Sequence, residues 1–193
     1  PGNFFYKIDI TDPFSPIVNQ QPFSATTVSA HEVLFSPDGL KYFITCNTTN
    51  ELRIMQTSND TLLAIIPTGD YPLEIAVSNT TPYCFVTCEN DDLVFPGANK
   101  KGLVTVFNYV TNQFVANIDA DTYQPHGIAV DDANGLVYVA SRNISTAGPA
   151  PHHSSVCSGR NGYITIFDLN TLKIISGFST EMSVDPYSIA VRK

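Results

Sequence analysis

Pro72-Leu73-Glu74-Ile75-Ala76-Val77, Pro125-His126-Gly127-Ile128-Ala129-Val130 and Pro186-Tyr187-Ser188-Ile189-Ala190-Val191 are copies of one segment, Pro-x-x-Ile-Ala-Val. Ala30-His31-Glu32-Val33-Leu34-Phe35 is a looser fourth copy. Successive copies begin 42, 53 and 61 residues apart. Repetition near 40 residues is the signature of a propeller or solenoid, in which no single repeat buries its own apolar face and neighbours must stack.

Alternating apolar residues, β-branched enrichment and closely spaced turn signals predict strands throughout, with no long amphipathic helix. One unit parses as strands a to d. The first is His31–Ser36, Lys41–Cys46, Leu52–Gln56 and Leu62–Pro67. The second is Leu73–Ser78, Tyr83–Cys88, Leu103–Asn108 and Phe114–Ile118. The third is His126–Asp131, Leu136–Ser141, Tyr163–Asp168 and Lys173–Phe178. Pro37-Asp38-Gly39 and Asn134-Gly135 supply the a–b turns, where Gly accepts φ > 0 without strain. Phe4–Ile10 and Ile17–Phe23 read as the c and d strands of a partial blade, and Tyr187–Val191 as an isolated strand a.

The expected architecture is therefore all-β: a single propeller domain of four-stranded antiparallel blades over residues 1–193. It divides into a partial blade 1–29, a blade 30–71, a blade 72–124 with insertion 89–102, and a blade 125–185 with insertion 142–162. Residues 186–193 are the first strand of a next or closing blade. About four blades belong to this chain, and propellers have 4–8. The expectation is a partial chain of a larger, seven-bladed or similar ring.

Composition narrows the function classes. Apolar residues make up 43% of the chain, enough for a packed core. Ten Lys and Arg against eighteen Asp and Glu leave a net charge of −8, which disfavours nucleic acid and anionic membrane surfaces. No apolar run is long enough to span a bilayer as a helix. No nucleophile elbow and no phosphate-cradling glycine loop is present.

The unit resembles the YVTN-type β-propeller repeat. The resemblance rests on Ser36-Pro37-Asp38-Gly39, Val137-Tyr138-Val139-Ala140 and Ile164-Thr165-Ile166-Phe167-Asp168-Leu169, and covers nearly the whole chain. The literal Tyr109-Val110-Thr111-Asn112 falls at a c–d turn, out of register with the strand that names the family. The resemblance implies an exported, often surface-anchored bacterial protein that acts by binding. Sugar-lactone hydrolases and subunits of redox enzymes are among the relatives it implies.

Because strands within a blade alternate in direction, the d–a and b–c connections share one end of the propeller. Both insertions are b–c connections, so that end is elaborated, and long loops carry function. All four His sit there: His31 and His126 at the start of strand a, His152 and His153 in the second insertion. The expected binding face comprises His31, Glu32, Asp91, Asp92, His126, His152, His153 and Arg160. Hydrogen bonds from the His side chains to a neighbouring blade's backbone are the favoured role. The alternative is a metal held by His31, His126 and His152. Asp91 and Asp92, with Glu89, carry the ligand chemistry for a hard cation, although a solvated acidic loop is the plainer reading.

Of four cysteines, Cys84 and Cys88 share one strand face about 13 Å apart, too far to bridge. A Cys88–Cys157 bridge would tether the two insertions in an oxidising compartment, against a reading of four reduced thiols.

Three functions remain: a non-enzymatic extracytoplasmic binding or scaffold propeller facing a protein or glycan of the cell envelope, without a cofactor; a metal-dependent, lactonase-like hydrolase or redox-enzyme subunit; and an envelope spacer. The first is preferred. The expected location is the periplasm or outer-membrane surface of a bacterium, with a lipoprotein anchor as one means of attachment.

Overall fold

The computed structural model describes residues 4–22, 28–90, 101–119, 124–142, 162–182 and 186–192. Among them every regular element is a strand. β1 (Phe4–Asp9) and β2 (Ile17–Pro22) form a two-stranded sheet. β3 (Ala30–Phe35), β4 (Lys41–Cys46), β5 (Glu51–Gln56) and β6 (Leu62–Pro67) form the first complete blade. β7 (Pro72–Val77), β8 (Tyr83–Cys88), β9 (Leu103–Asn108) and β10 (Gln113–Ile118) form the second. β11 (Pro125–Asp131), β12 (Leu136–Ser141), β13 (Gly162–Asp168) and β14 (Ile174–Met182) form the third. Each blade is an antiparallel meander, and the chain is a β-propeller arc.

The core lies between blades because the side-chain period of a strand is two. On β8, Cys84 and Val86 pack toward the first blade with Phe43, Leu52 and Ile54. Phe85 points the other way, onto Ile128, Val137, Val139 and Phe167 of the third. Both faces of the middle sheet are thus covered, which is why β8 and β9 read as near-continuous apolar runs. Phe43 and Phe107 meet edge to face across the first interface at 5.3 Å. The outer strands β6 and β10 are largely exposed.

A threonine hydroxyl from the second strand of a blade stitches it to the next. Thr45 Oγ1 accepts from Glu32 N in its own blade (3.0 Å) and donates to Leu73 O of the next (2.8 Å). Thr87 repeats this with Glu74 N (3.1 Å) and His126 O (2.7 Å). The donors are available because each innermost strand carries an irregularity there, between Ala30 and Val33 and between Pro72 and Ile75. Ala140 holds the equivalent position in the third blade and has no hydroxyl to offer.

Two expectations are corrected. Tyr187–Val191 forms no strand; 186–192 lies against β11, with Ser188 Cα 2.7 Å from where a Cβ on Gly127 would stand. It does not close a blade with β1 and β2, which pair only with each other. A strand needs a ladder partner, and among the described residues none pairs with 186–192. The fourteenth strand also runs on to Met182, four residues past the expected end, because Gly162 at the start of β13 pairs with Met182. Between β1 and the exposed face of β3 lies an open groove of about 320 Å³ lined by Phe5, Ile8, Val33, Phe35 and Tyr42.

Candidate functional site

The strand register places the elaborated end. Ala30 pairs with Cys46, Pro72 with Cys88 and Pro125 with Ser141, so each innermost strand starts beside the end of the second strand. Cys46 pairs with Glu51, Cys88 with Leu103 and Ser141 with Tyr163, so each b–c connection leaves and returns at that same end.

The entry to each innermost strand is built alike. Ser29, Tyr71 and Gln124 take positive φ values of 51°, 58° and 45°. Their carbonyls accept from the backbone N–H groups of Asn47 (3.0 Å), Glu89 (3.0 Å) and Arg142 (3.2 Å). A left-handed residue costs a non-glycine side chain some strain, and the paired N–H offsets it. The result is a rim on which Asn47, Glu89 and Arg142 are register mates, as are Glu32 and Glu74, and as are His31 and His126.

Charged groups converge there. Arg142 is 1% exposed and donates from Nη1 to Glu89 Oε1 at 3.1 Å, a buried pair across the second blade interface. Removing either member would take an oppositely charged partner from the other in buried surroundings. The Arg142 guanidinium also stands 4.9 Å over the Tyr187 ring, and Tyr187 stacks on His126 at 3.8 Å. His126 is 2% exposed, and its Nδ1 lies 3.5 Å from Glu74 Oε1. The His31 ring meets His126 edge to face at 5.8 Å. His31, Glu74 and His126 each bring one ligand-type atom within 4.8 Å of the others.

Burial sets the proton affinities. It holds the His31 imidazole below its ordinary value, with Glu89 raising and Arg142 lowering it further. It pushes Glu32 up to about 7, opposed by the hydrogen bond from Ile75 N and assisted by the Glu74 charge. Burial also raises Glu74, while Arg142 acts the other way.

The two glutamates are spent differently. Glu32 accepts a short bond from Ile75 N of the next blade. Glu74 instead turns its carboxylate to the His31 and His126 pair. Of the expected binding face, His31, Glu32 and His126 are thus brought to one rim. Asp91, Asp92, His152, His153 and Arg160 lie outside the described residues, as does Cys157 of the expected bridge. Cys88 Sγ is buried, 3.5 Å from Thr105 Oγ1. Cys46 is also buried, and desolvation pushes its thiol up to about 12.

Sequence reasoning missed Glu74, Arg142 and Tyr187 as site residues. The signal was in the repeat itself. Glu74 aligns with Glu32, and Tyr187 aligns with His31 and His126.

No family model matches the chain, and no curated protein matches it by sequence. Among solved structures it is similar to Kuenenia stuttgartiensis hydrazine synthase, with a TM-score of 0.63 and 16% identity over 86% of this chain. It is also similar to U3-55K, with a TM-score of 0.57 and 10% identity over 88% of this chain. Both likenesses are of fold. The chain spans 39% and 45% of the lengths of those two proteins.

Proposed function

We propose that this chain is part of an extracytoplasmic, YVTN-type binding propeller that presents its elaborated end to a protein or glycan of a bacterial cell envelope. One observation carries the reading: both long connections spring from the rim that also gathers His31, Glu74, Glu89, His126 and Arg142. A stack of sheets cross-stitched by Thr45 and Thr87 is a stiff mount for such loops, and rigid display lowers the ordering cost of binding. The net charge of −8 fits a neutral or cationic partner better than nucleic acid. The ring is completed by further blades, in keeping with the shorter span of this chain against the two similar structures.

The test is co-purification from envelope fractions, combined with glycan-array binding, before and after residues 143–161 are replaced by a short turn. Partner retention is expected to fall at least tenfold while the melting temperature stays within a few degrees. Equal retention by the shortened protein, or an equal loss when the opposite-end turn at 108–112 is replaced, would refute the reading.

A further inference from the structure

We infer that His31, Glu74 and His126 form a binding site for a zinc-class divalent cation at the inner rim. No assigned role accounts for this set, and the partner-binding reading does not depend on it.

The first argument is geometric. Three ligand atoms from three adjacent innermost strands lie within 4.8 Å of one another. Tetrahedral zinc takes nitrogen and oxygen ligands at about 2.0–2.2 Å. His126 is packed in place by Tyr187, whereas His31 is exposed and Glu74 half-buried. Small rotations of the two freer side chains therefore close the set onto an ion while the buried imidazole stays put.

The second argument is the divergence of the two register-equivalent glutamates. Glu32 and Glu74 share a repeat position, yet only Glu32 is committed to the next strand's N–H. Glu74 lies 3.5 Å from one imidazole and within the same cluster as the second. The third blade has Gly127 at this position, so among the described residues a glutamate set between two register-equivalent histidines is found at Glu74.

The third argument is chemical. Two imidazoles and one carboxylate suit zinc and its first-row neighbours and are too nitrogen-rich for calcium or magnesium. A three-residue set leaves coordination open for water or an anionic group. Arg142 opposes a cation here, but Glu89 offsets its charge at 3.1 Å. With Glu74 as the only anionic ligand, the occupied centre keeps a net positive charge, so the class of group it would accept is a carboxylate or another small anion. This set shares His31 and His126 with the one expected from sequence and brings in Glu74; His152 lies outside the described residues.

The experiment is calorimetric titration of the metal-stripped full chain with zinc, paired with visible spectra of the cobalt(II)-loaded protein. One zinc per chain and a cobalt spectrum of a nitrogen–oxygen donor set are expected. His31→Ala and Glu74→Gln should each weaken zinc binding at least thirtyfold, and both are outside the packed core. The double variant His152→Ala/His153→Ala should bind zinc as the parent does. No saturable zinc binding, or binding unchanged in both His31→Ala and Glu74→Gln, overturns the inference. So does loss of the site in the His152/His153 variant alone.

Discussion

Replacing Glu32 by Gln should stabilise the protein above neutral pH, even though Glu32 bridges two blades. Burial raises the Glu32 carboxyl to about 7 against an ordinary value of 4.5. The folded state therefore holds a proton that the unfolded state has already released between those two values. Stability must fall as pH rises through this window and level off above it. A shift of that size corresponds to about 3 kcal/mol before screening, and the solvent-facing part of the side chain reduces this to about 1–2 kcal/mol. Gln keeps an oxygen to accept from Ile75 N and removes the charge that sits near Glu74. Urea denaturation at pH 5, 6, 7 and 8 reads the difference between variant and parent, so other titrating groups cancel. Glu32→Gln should match the parent within error near pH 5 and exceed it by about 1–2 kcal/mol at pH 8. A variant that is no more stable at pH 8, or whose advantage does not shrink toward pH 5, would show that the carboxylate is not held against its charge.

Two further substitutions probe the frame that carries the rim. Thr87→Val is nearly isosteric but removes the partner of Glu74 N and of His126 O, both in buried or half-buried surroundings. It should cost about 2–3 kcal/mol in denaturant titrations. A cost under about 0.5 kcal/mol would mean that water replaces the hydroxyl. Gly102→Ala would set a Cβ 2.2 Å from Cys88 O and 2.3 Å from Pro125 Cδ, where the end of the first insertion, just ahead of β9, meets the third blade. Backbone cannot yield as a side-chain tip does, so a loss of about 2–4 kcal/mol is expected, read as a lower melting temperature. An unchanged melting temperature would show that the rim is looser than its contacts.

The repeat by itself decides most of the architecture. Apolar alternation located all fourteen observed strands to within a few residues, because inner strands such as β8 and β9, buried on both faces, leave dense apolar runs and the turn-forming residues between strands break the pattern. Gly39 and Gly135 do sit at φ values of 69° and 67° in the expected turns. The strand expected at Tyr187–Val191 is the exception, since a strand exists only by virtue of a partner and local pattern cannot report one.

The sequence alone determined that blades exist, where they turn and which end their connections enlarge, since these follow from period, spacing and strand alternation. Only tertiary structure decided which polar side chains meet. Glu32 and Glu74 occupy one repeat position, yet one is bonded to Ile75 N and the other faces two imidazoles. That choice depends on the neighbouring blade: a strand fixes which face a residue points from, and the packing of the next sheet fixes what it finds there.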